Sequence, residues 1–210
     1  MRTLTVSVFS SLDGVMQAPG GPNEDISGGF RLGGWIVPYA DPAIGENLQS
    51  LLAKPFELLL GRRTYDIFAS HWPHVAPDAP SHGLAEKFNS VVKHVATHRK
   101  SGLDWHNSRA LDGDLPDAVR ALKTQEGADL LTFGSGAMVR QLLAAGLVDE
   151  LSLLTFPVML GRGRRLFGDD VETRAFKLTH MTRTPGGVVI ARYARAGEVR
   201  TGSFDESART

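Results

Sequence analysis

The sequence predicts an α/β fold: a single domain with a central, mostly parallel sheet, helices on both faces and antiparallel strands late in the chain. Three observations carry this. As far as Asp149, short apolar runs of strand length alternate with amphipathic stretches of helix length. After Asp149 the period drops to two. No shift in composition marks a domain boundary within the 210 residues, a length ample for one core.

The elements follow in order. Leu4, Val6 and Val8 alternate with Thr3, Thr5 and Ser7, which is strand period. Residues 10–35 are rich in Gly and Pro and lack periodicity. They predict a long loop, of the kind that often serves as a lid. Asp41-Pro42 reads as an N-cap followed by proline at the first helical position, and Ile44, Leu48, Leu51 and Leu52 continue as a helical stripe. "FELLL", 56–60, is a buried strand, and "GRRTYDIFASHW" is a helix entered through Gly61. A short helix over 82–89 leads to a strand over 91–97. Leu115, Val119 and Leu122 make 114–124 amphipathic. "DLLTF", 129–133, is a strand, and Val139, Leu142 and Leu143 mark the next helix. "LSLLTFPVML", 151–160, is a strand in which Pro157 predicts a bulge or a sheet edge. Strands over 176–184 and 188–195 are joined at Pro185-Gly186-Gly187, a hairpin signal. The domain is placed at 1–196, and 197–210 is a polar tail expected to be disordered.

Composition narrows the function. Lys+Arg and Asp+Glu are both 23, so the net charge is zero, which argues against a nucleic-acid binder. There is no cysteine, which excludes disulfides and thiolate metal sites. No window reaches the ~18 apolar residues of a membrane span, and the N-terminus lacks a signal-type apolar region. A cytoplasmic protein is expected. His71 and His74 flank Trp72-Pro73 without a third ligand nearby in the sequence, so no metal is expected.

Three strand ends suit phosphate. Gly134-Ser135-Gly136 joins a strand to a helix, leaving backbone N–H groups at the positive end of the helix dipole. Glycine there lets a diphosphate approach the main chain, and Ser135 can cap the helix or donate to a phosphate oxygen. Gly61 repeats the arrangement, with Arg62, Arg63 and Thr64 in the first helical turn. Two arginines there oppose the dipole unless an anion sits beside them. Thr97 ends a third strand, with Arg99 and Lys100 just beyond. In open α/β sheets ligands gather at the carboxyl ends of strands. A dinucleotide with a diphosphate and an extra monophosphate matches all three, which describes NADPH.

The segments "VFSSLDGVMQAP", "LLLGRRTYDIFASHWP", "VATHRK", "TFGSGAMVRQLLAAGLVDELSL" and "FPVMLGRGRRLF" resemble the dihydrofolate reductase-like fold. The resemblance is to the branch that includes the riboflavin-biosynthesis reductase C-terminal domain. It implies NADPH bound across the sheet edge. Gly61, Arg62, Arg63 and Thr64 would meet the adenosine-side phosphates, Thr97 and Arg99 the 2′-phosphate, and Gly134, Ser135 and Gly136 the diphosphate. Leu12 to Gln17 would lie along nicotinamide and substrate. It also implies a homodimer through the late strands. With no cysteine for a zinc deaminase domain, it implies a standalone reductase domain.

Hydride transfer needs alignment and a proton. Asp13 and Asp41 are the candidate acids, and an ordered water is the alternative. Asp13-Gly14 is also a turn pair. Trp35 and Tyr39 are candidates to stack on a flat substrate or to pack the loop on the core. "GRGRR", 161–165, either reaches the cofactor diphosphate or joins two strands. The expected function is an NADPH-dependent reductase acting on a small planar heterocycle, pteridine- or pyrimidine-like. The alternative is a non-catalytic nucleotide-binding protein on the same fold.

Overall fold

Leu58, Leu59 and Leu60 are consecutive and all fully buried. Such a run is stable only in a strand covered on both faces, and full burial of each leucine contributes roughly 2 kcal/mol. The fold that covers them is seen in a computed structural model, which describes residues 1–168 and 172–204.

The strands are β1 (Leu4–Ser11), β2 (Phe56–Gly61), β3 (Lys93–Ala96), β4 (Ser108–Ala110), β5 (Asp129–Phe133), β6 (Glu150–Phe156), β7 (Ala175–Arg183) and β8 (Val189–Gly197). The helices are α1 (Pro42–Leu51), α2 (Arg62–His71), α3 (His82–Ser90), α4 (Leu115–Thr124) and α5 (Gly136–Ala144). All eight strands form one sheet in the order β4-β3-β2-β5-β1-β6-β8-β7. Pairings from β4 through β6 are parallel, while β6–β8 and β7–β8 are antiparallel. This is the predicted fold class.

Each face has its own core. Leu4, Val6, Leu59 and Leu130 pack against Val119 and Leu122 of α4 and against Met138, Val139, Leu142 and Leu143 of α5. On the opposite face Leu58, Leu60 and Leu131 meet Tyr65 of α2 and Phe88 of α3. Farther along that face, Leu154, Phe156 and Ile190 pack under Val15, Phe30 and Trp35 of the 10–35 loop, with Ile44 of α1 beside them.

Three details differ from the sequence expectations. Pro157 is neither a bulge nor an edge: β6 stops at Phe156 and lies between β1 and β8, so the proline simply ends the strand. The third strand is shorter than 91–97, and β4 is unforeseen. Residues 205–210 of the expected tail lie outside the described residues. Among the described residues no helix is long and apolar enough to cross a membrane.

Candidate active site

The sheet order places β3, β2 and β5 side by side. Gly61 therefore ends, and Thr97 and Gly134 directly follow, three adjacent parallel strands. The turns are locked together. Gly61 N donates to Ser135 Oγ at 3.0 Å. Ser135 N donates to Thr64 Oγ1 at 3.1 Å. Ser135 Oγ in turn donates to Phe133 O at 3.1 Å. Ser135 thus does not cap α5; its hydroxyl fastens one turn to the other. Its φ of +53° lies in the left-handed region, beside Gly134 at +57°, a conformation that costs a non-glycine residue about 1 kcal/mol.

Neither α2 nor α5 has a side-chain cap or an acidic residue in its first turn. Two positive helix ends therefore face the same rim of the sheet, which favours an anion there. Met16 covers part of this rim. A Cβ on Gly136 would stand 2.9 Å from Met16 Sδ, so glycine is what allows the first loop to lie close over the turn.

Arg62 is placed differently from the expectation. Its Nε pairs with Asp66 at 2.9 and 3.1 Å. Nη1 donates to the carbonyls of Arg99 and Ser101 at 3.0 and 2.8 Å, and Nη2 to that of Gly102 at 3.2 Å. A guanidinium has five N–H donors, and these bonds commit most of them to protein. Arg62 holds the loop after β3 rather than presenting a free fork to a phosphate. Within that loop Thr97 Oγ1 accepts from Arg99 N at 3.0 Å, and the Arg99 side chain is exposed.

The two candidate acids also hold structure. Asp13 accepts from Ser11 Oγ at 2.6 Å, Leu160 N at 3.0 Å, Gly161 N at 2.8 Å and Arg165 Nη2 at 3.3 Å. The Ser11 hydroxyl and the two amides hold its carboxyl far below the usual carboxylate range. That environment favours the anion, and the four donors make Asp13 an anchor for the loop. Asp41 Oδ1 accepts from Ala43 N at 2.9 Å, as an N-cap does.

Trp35 is not a stacking platform either. It is buried, donates from Nε1 to Gln17 O at 2.8 Å, and meets Phe156 edge-on at 5.4 Å. Tyr39 is half-buried against the same ring at 6.1 Å, and Phe9 approaches it at 5.8 Å. Phe9 and Tyr39, both half-buried, pack on the fully buried Phe156 ring near the ends of β1 and β6.

The sequence reading missed a second layer over this rim. Residues 12–17 run against 158–166. Leu12 N donates to Val158 O at 2.8 Å and Met16 N to Arg164 O at 2.8 Å, while Val15 bridges Arg165. Buried Gln17 donates to Asp25 O and Ser27 O at 3.0 and 2.9 Å and accepts from Arg164 N at 3.0 Å. "GRGRR" therefore does connect two strands, but its last two arginines also fasten the first loop. The only hint in the sequence was their basic, glycine-rich run.

Comparison with known proteins agrees with this fold. The chain is 24% identical over 188 residues to the uncharacterized protein YyaP of Bacillus subtilis (strain 168), spanning 90% of this chain and 92% of that one. A solved structure of a candidate riboflavin biosynthesis protein from Shewanella sp. PV-4 superposes with a TM-score of 0.63 at 21% identity, over 93% of this chain and 99% of that one. A pyrimidine reductase-like protein from Corynebacterium diphtheriae gives 0.58 at 17% identity, over 94% and 93%. At these identities the two structures establish the fold. The RibD C-terminal domain model matches residues 2–190, nearly the whole chain, and the chain belongs to that family.

Proposed function

We propose that the protein is an NADPH-dependent reductase that transfers a hydride to a small planar heterocycle, pteridine- or pyrimidine-like, of the kind found in folate and riboflavin pathways. The observation that carries this is the adjacency of three phosphate-suited turns. Gly61 to Thr64, Thr97 to Arg99 and Gly134 to Gly136 lie at the ends of neighbouring parallel strands, beside two uncapped helix N-termini. In this reading the α5 turn meets the diphosphate, Arg63 and Arg99 meet the phosphates, and Arg62 positions the loop that carries Arg99. Bound cofactor supplies the hydride; Phe9 and Tyr39 flank the acceptor ring. With Asp13 and Asp41 both committed to backbone donors, the proton comes from water. The protein works in the cytoplasm as a homodimer through β7, an edge strand nine residues long that exposes Leu178 and Met181.

Titration calorimetry with NADPH and NADH tests the cofactor, and loss of reduced-nicotinamide absorbance across a panel of pteridines and aminopyrimidines tests the reaction. Tight NADPH binding with turnover of one acceptor supports the reading. Absence of binding to either nucleotide sinks it. The commitment of both acids favours a second reading, a nucleotide-binding protein without turnover, which NADPH binding with no hydride transfer to any acceptor would support.

A further inference from the structure

Asp25, in the first loop, is 11% exposed and forms ion pairs with both Arg63 of α2 and Arg164 of the 158–166 segment. Arg63 Nη1 lies 3.5 Å from Asp25 Oδ2 and 3.0 Å from Ser27 Oγ. Arg164 Nη1 donates to Ser27 Oγ at 2.7 Å, and its Nη2 contacts Asp25 Oδ2. Two guanidinium groups from distant parts of the chain thus converge on one carboxylate and one hydroxyl.

The charges do not balance. Two cations share a single carboxylate at the N-terminal turn of α2, which contains no acid of its own. Both arginines remain half-exposed, at 57% and 45%, so a larger anion can reach them. Arginine forks bind phosphate oxygens in the same two-pronged way as carboxylates, and a phosphate brings more charge and more acceptors. Asp25 Oδ1 also accepts from Ser27 N at 3.1 Å and Ser27 Oγ at 2.7 Å, so the carboxylate and hydroxyl form one unit. Gly28 and Gly29 follow it, both with positive φ, at +65° and +73°, and Ile26 beside it is exposed. The buried Gln17 amide donates to the carbonyls of Asp25 and Ser27, so opening the loop breaks these bonds as well.

We propose that Asp25 is a built-in substitute for a phosphate group, so that the first loop is a latch held shut by Asp25 and Ser27 on Arg63 and Arg164. A ligand phosphate displaces the carboxylate and frees the loop, and only ligands bearing phosphate open the site. The inference rests on the reductase reading for the identity of that ligand, but not for the latch itself. The phosphate belongs either to the dinucleotide or to a phosphorylated substrate.

The test uses the full chain. The native protein, Asp25→Asn and Arg164→Ala are titrated with inorganic pyrophosphate and with NADPH. Hydrogen exchange of residues 17–30 is followed in the native protein with and without each ligand. Pyrophosphate is expected to speed exchange at 25–29. Asp25→Asn is expected to bind it about tenfold more tightly, since a competing charge-assisted bond is gone, and Arg164→Ala about tenfold more weakly. If Asp25→Asn does not fold, Ser27→Ala removes the hydroxyl both arginines share and shifts affinity the same way, by a smaller factor. Pyrophosphate that competes with NADPH assigns the phosphate to the cofactor; pyrophosphate bound alongside NADPH assigns it to the substrate. Equal pyrophosphate affinity in the native and Asp25→Asn proteins overturns the latch, and NADPH binding then still supports the reductase reading. Pyrophosphate binding that depends on Asp25, with no NADPH binding, leaves the latch standing and removes the reductase. No binding of either anion overturns both.

Discussion

Replacing Asp13 with asparagine separates a loop anchor from a catalytic acid. In the native chain the carboxylate accepts from the Ser11 hydroxyl, the Leu160 and Gly161 amides and the Arg165 guanidinium. An asparagine oxygen can keep the Ser11 and Leu160 donors. Its NH2 group then faces Gly161 N and Arg165, donor against donor. Two bonds to a charged acceptor are lost, at about 1.5 kcal/mol each. Water reaches Arg165, which is 43% exposed, so the expected loss is about 2 kcal/mol. In a chain of this size that lowers the melting temperature by roughly 4–8 °C. The assay is thermal unfolding by circular dichroism, with hydrogen exchange over 157–165. The pH dependence has a definite sign. A carboxyl whose folded pKa is depressed stabilises the fold above its unfolded value, and that stability falls away in acid. Asp13→Asn should therefore flatten the acid side of the stability curve. A variant with native melting temperature and native acid stability, but without hydride transfer, would refute the anchor and restore Asp13 as the proton source.

Arg62→Ala should weaken NADPH binding through disorder of residues 99–102; hydrogen exchange there should rise together with the loss of affinity. Arg99→Ala should lower the NADPH-to-NADH affinity ratio with normal exchange in that loop, and native exchange in Arg62→Ala would contradict the positioning role. Gly163→Ala places a Cβ 2.6 Å from Val15 and 2.9 Å from the Phe30 ring, at a φ of +125°. It should destabilise the fold by about 3 kcal/mol in urea unfolding. Lys93 is fully buried, donates to Asn89 O and His106 O, and lies 4.3 Å from the centre of the Trp105 ring. Burial lowers its pKa from 10.5 to about 8. The unfolded chain binds this proton more tightly, so stability should rise between those two pH values, by up to about 1.4 kcal/mol per pH unit. Lys93→Met should remove that rise from the denaturation midpoint measured across the same range.

What can be read from the sequence is what depends on neighbours in the chain. The turns at Gly61 and Gly134, the Asp41-Pro42 cap and the hairpin at Pro185 all follow from residues within a few positions. So does the alternation that sets the sheet order into parallel and antiparallel parts. The clasp over the rim does not. Asp13 and Arg165 lie 152 positions apart, and Asp25 and Arg164 lie 139 apart. Asp13 reads as a candidate acid and Arg164 and Arg165 as part of a basic turn, but nothing in the sequence pairs them across that distance. Arg62 was half legible: Asp66 four residues on is a visible helix pair, whereas the carbonyls of 99–102 reach it only through the fold. β4 left no signal because Ser108, Arg109 and Ala110 carry neither period nor bulk.

The two borders of the sheet are unequal. β4 offers three residues, none of them bulky and apolar, whereas β7 offers nine. A short, polar border is a poor template for a further strand. Copies of this chain that meet through β7 present only the blunt β4 borders outward. In such a pair growth would stop, and no long strand would be left free to seed a fibre.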